Sequence, residues 1–71
     1  TSIYPNPFTN TLNIKSETNF KTVALYDVLG KQIIHQPFVN ELNTSALSQG
    51  VYFLHLIDSE GTKVVKKVVR E

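Results

Sequence analysis

The sequence predicts an all-β fold, a small immunoglobulin-like antiparallel β-sandwich of about seven short strands. Three observations predict it. Apolar and polar residues alternate over short runs, as they do in half-buried strands. Glycine, proline and asparagine separate these runs, which recur about every ten residues, the rhythm of a sandwich. We find no stretch of ten or more residues with clean helical periodicity.

The length of 71 residues and mass of 8.0 kDa predict one domain, covering residues 1–71. A folded chain of this mass buries about 60% of its surface, which gives one thin core between two layers. Such a core leaves little room for a buried active-site cleft of the usual ~300–1,000 Å³. Because the chain begins without an initiator Met, we expect it to be a piece of a longer protein.

The strand pattern begins after the N-terminal segment. The predicted strands are Thr11–Lys15, Thr22–Val28, Lys31–Gln36, the weaker Phe38–Thr44, Val51–Ile57 and Lys63–Arg70. Val51–Ile57 is the most apolar run, so we expect it to be central. Alternation places Tyr52, Leu54 and Leu56 on the face assigned to the core. The other face, with Phe53, His55 and Ile57, is either partly covered by the N-terminal segment or forms an exposed patch.

Two loops carry the same turn chemistry. In Asp27–Lys31 a turn-forming aspartate is followed by Gly30, which can take the left-handed conformation that closes a bulged hairpin. Asp58–Gly61 repeats this arrangement, so we expect two antiparallel hairpins. Between them, Ser45–Gln49 is predicted to hold one short helical turn, entered through Thr44 or Ser45 as a cap.

The N-terminal residues Tyr4-Pro5-Asn6-Pro7 predict a stiff, extended segment. Each proline fixes φ and donates no backbone hydrogen bond, and the residue before a proline is held extended. Such a segment suits an edge strand or a polyproline-like connection. With Ile3 and Phe8 beside it, we expect it to lie along the sandwich and cover an open edge. A rigid linker at the start of the domain explains the same stiffness.

A corner is predicted before the central strand, at Leu47–Tyr52. Gly50 permits a sharp change of direction there. Tyr52, near the start of the strand, can return its hydroxyl to an upstream backbone group, as in the tyrosine corner of immunoglobulin-like sandwiches.

The charge is unevenly placed, although the net charge is only +1. Residues 1–62 carry −2, whereas residues 63–71 carry +3. Lysines on a terminal edge strand discourage aggregation between sheets. The same basic tip, with Lys66, Lys67 and Arg70, can also dock an acidic partner or a membrane surface. A balance of +1 does not indicate nucleic-acid binding.

No catalytic, cofactor-binding or metal-ligating residues are predicted. The chain has no cysteine and two histidines, His35 and His55, without the spacing of a metal site. Phosphate-binding glycine loops and nucleophile-elbow motifs are absent from the sequence. Stretches of about 20 apolar residues, the length of a membrane span, are absent too. We therefore expect a protein that is not an enzyme and needs no cofactor.

Four motifs stand in one order along the chain. Tyr4-Pro5-Asn6-Pro7 opens it, Asp27-Val28-Leu29-Gly30-Lys31 lies at the middle hairpin, Leu47–Tyr52 precedes the central strand and Lys67-Val68-Val69-Arg70 ends it. With these motifs the chain resembles the type A C-terminal sorting domain of the type IX secretion system of Bacteroidota. The resemblance extends from Tyr4 to Arg70. Glu71 after the basic end is a minor departure.

The resemblance implies a non-catalytic address label with an immunoglobulin-like fold. It implies a fused N-terminal cargo protein that transits the periplasm and outer membrane and ends secreted or at the cell surface. The implied partners are the type IX translocon and its shuttle components, and a sortase-like C-terminal signal peptidase that cuts upstream of the domain. Cargo is then released or attached to the surface. Oligomeric state and cargo identity stay open.

The resemblance also supplies candidate sorting residues. These are Tyr4, Pro5, Asn6, Pro7, Asp27, Gly30, Lys31, Gly50, Tyr52, Lys66, Lys67, Val68, Val69 and Arg70. Gly50 and Tyr52 are better explained as determinants of the fold, whereas Lys66, Lys67 and Arg70 suit contact with the translocon. The alternative is a carbohydrate-binding or spacer module of a secreted glycosidase or adhesin. It requires a planar row of exposed aromatics, for which Tyr4, Phe8, Phe20 and Phe38 are the candidates.

Overall fold

The structure, a computed structural model, describes residues 2–4, 8 and 10–71. In this part of the chain the strands are β1 Ser2–Tyr4, β2 Thr11–Lys15, β3 Phe20–Asp27, β4 Gln32–Pro37, β5 Glu41–Asn43, β6 Gly50–Asp58 and β7 Lys63–Arg70. β2 and β7 agree with the predicted runs residue for residue. β3, β4 and β6 agree within two residues at each end. The structure is all-β, as predicted.

The strands form two antiparallel sheets, one with the order β1-β2-β5 and one with the order β4-β3-β6-β7. Immunoglobulin constant domains divide their strands into ABED and CFG sheets. Here the fourth strand, β4, pairs instead with β3 through a tight hairpin, which gives a three-plus-four sandwich. The predicted fold class is confirmed.

Strand β6 is the central element. It pairs with β3 on one side over Tyr52–Asp58 and with β7 on the other over Gly50–Ile57. Its buried side chains are Tyr52, Leu54 and Leu56, the three assigned to the core from the sequence. The rest of the core is supplied by Phe8, Leu12, Ile14, Phe20, Val23, Leu25, Leu42 and Val68.

The two predicted hairpins have the same geometry. In each, the aspartate carboxylate accepts two backbone hydrogen bonds of 2.9 Å: Asp27 from Leu29 and Lys31, and Asp58 from Glu60 and Thr62. The glycines that close the turns, Gly30 and Gly61, have φ of 84° and 85°. Their left-handed conformation is one that side chains with a Cβ rarely adopt. Both hairpins therefore confirm the sequence prediction.

Two predictions between β4 and β6 need correction. The predicted strand Phe38–Thr44 is reduced to Glu41–Asn43, because the backbone before it crosses from one sheet to the other. In that crossing the Phe38 amide donates to the Lys21 carbonyl, and the Asn40 carbonyl accepts from the Ile14 amide. These groups are therefore not available for pairing within one sheet.

The helical turn predicted at Ser45–Gln49 does not form. The chain instead makes one non-helical turn, in which the Leu47 amide donates to the Thr44 carbonyl over 3.1 Å. The side chain that organises it is Asn43, whose amide oxygen accepts from the Ser45 amide and hydroxyl. An asparagine that satisfies the first free amide favours a turn over continuation into a helix.

The N-terminal segment contacts both sheets. β1 is an edge strand, with Ile3 opposite Ile14 of β2. Phe8 then lies against β7: its amide donates to the Val69 carbonyl over 2.8 Å, and its carbonyl accepts from the Glu71 amide over 2.9 Å. Its ring is fully buried. Phe8 thus covers the edge of β7, whereas the segment for which this cover was predicted lies, after Tyr4, outside the described residues.

A tyrosine corner fixes the start of β6. The Tyr52 hydroxyl donates to the Ser48 carbonyl over 2.7 Å, and the Tyr52 ring is 7% exposed. Its ring lies 6.5 Å from that of Phe8. The side chain thus joins the loop before β6 to the core, as the sequence predicts.

We expect Tyr52→Phe to lower the free energy of unfolding by about 1 kcal/mol, because a buried hydrogen bond is lost while the ring is kept. Urea unfolding followed by circular dichroism measures the change. Tyr26→Phe is the matched control, since the Tyr26 hydroxyl bonds to the exposed Gln32 side chain. Equal losses in both variants would contradict the role of the corner.

Candidate functional site

The structure brings most of the sequence motifs to one end of the molecule. Asp27, Tyr52 and Val68 stand side by side in one row of the four-stranded sheet, and Gly50 lies opposite Arg70. We call this region the motif end and define it as the Asp27–Lys31 hairpin, Gly50–Tyr52 and Val68–Arg70. Motifs that are far apart in sequence therefore form one surface.

The opposite end carries different elements. There the Asp58–Thr62 hairpin lies beside the start of β3, and Ser2 pairs with Lys15 at the end of β2. An open groove of about 540 Å³ lies at this end, lined by Ser2, Lys15, Ser16, Glu17 and Thr18. Strand β1 runs from this end towards the motif end, and the longest dimension of the molecule is 32 Å.

The tip of the Asp27–Lys31 hairpin presents apolar side chains to solvent. Val28 is 62% exposed and Leu29 is 90% exposed. In the geometrically equivalent hairpin these two positions hold Ser59 and Glu60. The turn therefore does not require apolar residues there. Val28 and Leu29 are not among the residues predicted as sorting contacts from the sequence, although a comparison of the two turns could have found them.

Gly50 has a conformational role. Its φ of 149° lies in the region that side chains with a Cβ rarely adopt, and an added Cβ would meet no atom within 4 Å. The constraint at Gly50 is thus backbone geometry at the corner and not lack of space.

The basic end of β7 divides into structural and exposed residues. Val68 is fully buried, and the Val69 carbonyl accepts from Phe8. Arg70 is half-buried, and its Nε donates to the Thr44 carbonyl over 3.2 Å. Lys66 and Lys67 are exposed and, as neighbours in a strand, point to opposite faces of the sheet. The contact between Arg70 and Thr44 joins residues 26 apart, and no sequence signal predicts it.

Of the N-terminal motif, the structure places Tyr4 at the end of β1, where 49% of its surface is exposed. Pro5, Asn6 and Pro7 lie outside the described residues.

The aromatics named for a carbohydrate-binding surface do not form an exposed row. Phe8 and Phe20 are buried, and Phe38 packs against the core with its ring 5.9 Å from that of Phe20. Only Tyr4 of the four is substantially exposed. The carbohydrate-binding alternative therefore loses its structural basis among the described residues.

The described part of the chain contains no cluster of three or more histidine or acidic side chains able to hold a metal ion. It also has no helix with the length and apolar character needed to cross a bilayer.

A comparison with protein families decides the family. A model described as a secretion system C-terminal sorting domain matches residues 2–71. The chain belongs to this family. It is a type IX C-terminal sorting domain, and the resemblance seen in its sequence motifs is confirmed. A sorting domain of this kind marks a secreted or cell-surface protein.

A relative among curated proteins is an endo-acting ulvan lyase of Formosa agariphila. The two sequences are 33% identical over an alignment of 72 positions, which covers 94% of this chain and 14% of the lyase. The chain thus spans about one seventh of the length of that relative. The similarity concerns a small part of a larger enzyme.

His55 lies away from the motif end, in the middle of β6. Its ring centroid is 4.3 Å from that of Tyr26, and its row on the sheet contains Ala24 and Val65. Burial, with a smaller contribution from the Lys63 ammonium, lowers the pKa of His55 below its usual value. The neutral imidazole is therefore the form that the folded state favours.

This pKa predicts an acid-sensitive contribution to stability. The unfolded chain, with a histidine pKa of about 6.5, binds the proton more readily than the folded chain. The contribution is thus complete above about pH 6.5 and is lost as the pH falls towards the lowered pKa. When the pH is lowered from 7 to 5, the free energy of unfolding should fall less in His55→Gln than in the unmodified chain. Urea unfolding of both chains at the two pH values measures the difference, and an equal fall in both would contradict the prediction.

We also expect Arg70→Ala to lower the free energy of unfolding by about 1–2 kcal/mol, because the buried Thr44 loop loses a charged donor. Lys67→Ala, at an exposed position on the same strand, should change it by less than about 0.5 kcal/mol. Chemical denaturation of both variants measures the difference. If Arg70→Ala unfolds at the same denaturant concentration as the unmodified chain, Arg70 has no structural role and is assigned to contact with a partner alone.

Proposed function

We propose that this chain is the non-catalytic sorting module of a longer secreted precursor, with residues 1–71 forming one domain. It directs a fused N-terminal cargo protein through the type IX outer-membrane translocon. The family match over residues 2–71 is the observation that carries this proposal. The similarity to part of a much larger ulvan lyase supports the fusion to a cargo.

The proposed route follows from that role. The precursor passes the periplasm, where shuttle components and the translocon bind the folded domain. A sortase-like signal peptidase then cuts upstream of it, and the cargo is released or attached to the cell surface.

The two ends of the molecule suit this role. Strand β1 begins at the end opposite the motif end, so a cargo attached before Ser2 leaves the molecule there. A separation of up to about 30 Å, the long dimension of the domain, keeps the motif end clear of the cargo. We propose that the translocon binds the motif end.

The hairpin tip supplies the proposed contact. Leu29, at 90% exposure, is a large aliphatic side chain that contributes little to folding while in water. Buried against a partner, such a side chain contributes about 1.5–3 kcal/mol. The neighbouring Lys31 adds an exposed positive charge, which steers association.

The other candidate residues divide by their contacts. We assign to the fold those whose bonds or burial define turns and core: Asp27, Gly30, Gly50, Tyr52, Val68, Val69 and Arg70. Lys66 and Lys67 suit contact with the translocon, because their side chains are exposed on β7. Tyr4, Pro5, Asn6 and Pro7 stay candidate contacts near the cleavage side.

The test replaces the tip of one hairpin with that of the other. In a fusion of a periplasmic reporter to residues 1–71, Val28→Ser with Leu29→Glu gives the first hairpin the tip of the second. The turn should persist, since Asp58–Gly61 already forms it with serine and glutamate. In a host with the type IX system we expect export to fall at least about tenfold. A tenfold loss of affinity for the translocon corresponds to roughly 1.4 kcal/mol of binding free energy.

The reverse exchange, Ser59→Val with Glu60→Leu, is the matched control and should leave export unchanged. Urea unfolding of each variant checks that stability is retained. Retention of the unmodified fusion in the periplasm would contradict the sorting function. Full export of the folded tip variant would contradict only the assignment of the tip.

A further inference from the structure

The two outer faces of the sandwich differ in chemistry. On the three-stranded sheet the pairing places polar side chains outward: Ser2, Thr11, Asn13, Lys15, Glu41 and Asn43, with Tyr4 as the one aromatic. This is the usual condition of an antiparallel sheet with one face in water. The four-stranded sheet does not follow it.

The outer face of the four-stranded sheet is largely apolar. Its rows, read from the pairing, contain Pro37, Thr22, Ile57 and Lys63; His35, Ala24, His55 and Val65; Gln32, Tyr26, Phe53 and Lys67; and Val51 with Val69. We call these fourteen residues the outer B face, where B denotes the four-stranded sheet. The central strand β6 contributes four of them, and none of those four carries a full charge at neutral pH. Apart from the imidazole of His55 and the terminal Asp58, β6 is therefore apolar on both sides.

The apolar side chains of the outer B face, apart from Ala24, are at least partly exposed. Val65 is 49% exposed, and the outward side chains of β6 are half-buried. They pack laterally, as the Tyr26 and His55 rings do, and this leaves Ala24 beneath them without exposure. No described element lies over them. Of the two alternatives that the sequence left open for this face, cover by the N-terminal segment is not seen at Phe8 and β1, which contact the edge of β7 and the other sheet. Contiguous exposed apolar surface of this kind marks interaction sites.

The charges of the outer B face have one sign. Lys63 and Lys67 stand on it, and none of the fourteen residues is acidic. The two aspartates at the ends of the sheet, Asp27 and Asp58, hold their carboxylates in the turns. A second copy laid face to face would add two more lysines to the contact without an acidic residue of the face to pair with them, which is unfavourable. The complementary partner has an apolar centre and carboxylates around it.

We propose that the outer B face is a second docking surface, separate from the hairpin tip, and binds an acidic protein surface of the secretion machinery. This proposal rests on the sorting function above. Four strands about 4.8 Å apart and about eight residues long give a face of roughly 500 Å². Two such surfaces bury roughly 1,000 Å², which is typical of transient complexes and suits a domain that is passed on.

The geometry favours a protein over a membrane surface. The outward side chains of β6 are all half-buried, so the centre of the face has no fully exposed apolar side chain to insert into a bilayer. Two lysines contribute only about 2 kcal/mol to adsorption on an anionic bilayer. A flat protein surface can contact Phe53, His55 and Val65 together.

The export assay with the reporter fusion tests this surface. Val65→Ser removes an exposed apolar group, and Lys63→Glu with Lys67→Glu reverses the charge. We expect each to reduce export at least about fivefold while urea unfolding stays close to that of the unmodified chain. Lys15→Glu, on the outer face of the other sheet, is the matched control and should export normally. Export of the folded outer B face variants at the unmodified level overturns the proposal and leaves the sorting function intact.

A second measurement does not depend on the stability of these variants. A photo-crosslinking amino acid replaces Val65 in the fusion, in cells with the type IX system. We expect an adduct that is lost with Lys63→Glu and Lys67→Glu but kept with Lys15→Glu. An adduct insensitive to the charge reversal overturns the proposal.

The other occupants are tested with the purified chain. We expect it to sediment as a monomer and not to float with vesicles of phosphatidylcholine and phosphatidylserine. A dimer abolished by Val65→Ser would assign the face to a second copy. Vesicle binding abolished by the double lysine reversal would assign it to the membrane. Either result overturns the proposal. Failure of the unmodified fusion to be exported contradicts the sorting function itself.

Discussion

The pairing of β6 with both β3 and β7 is the constraint on which the other features depend. It aligns Asp27, Tyr52 and Val68 in one row and sets Gly50 opposite Arg70. A shift of one residue would turn Tyr52, Leu54 and Leu56 out of the core. The Tyr52 hydroxyl opposes such a shift, because it is bonded to the Ser48 carbonyl ahead of the strand. The same register therefore builds the core and gathers the motifs at one end.

The two hairpins show what the fold requires and what it leaves open. Both need an aspartate to accept two amides and a glycine with positive φ. Between these positions the first hairpin has Val28 and Leu29 and the second Ser59 and Glu60. Because the backbone bonds are the same, the apolar tip cannot be explained by folding. It carries a solvation cost that binding to a partner would remove.

The parts of the structure that were predicted correctly depend on local signals. Alternation located β2, β6 and β7, and aspartate with glycine located both turns. Two of the failures concern groups that bond to distant parts of the chain, and one concerns a neighbouring side chain. Phe38 lies in a crossing whose amide bonds to the Lys21 carbonyl, so its apolar character did not mean a strand. The helical turn at Ser45–Gln49 was lost to Asn43, one residue before the caps considered. The contact from Arg70 to Thr44 spans 26 residues and has no local signal.

The motifs mix residues that hold the domain together with residues whose side chains are exposed. Val68 is in the core, and Arg70 holds the Thr44 loop. Lys66 and Lys67, which directly precede Val68 in β7, are exposed. Truncation of the C-terminal residues would remove Val68 and the bond from the Glu71 amide to Phe8 together with the charges. Loss of sorting after truncation would then report unfolding as much as lost recognition. Substitutions at exposed positions, with stability measured beside export, separate the two. In a domain this small, recognition and folding use adjacent residues of the same strand, so a motif in the sequence does not by itself indicate a contact.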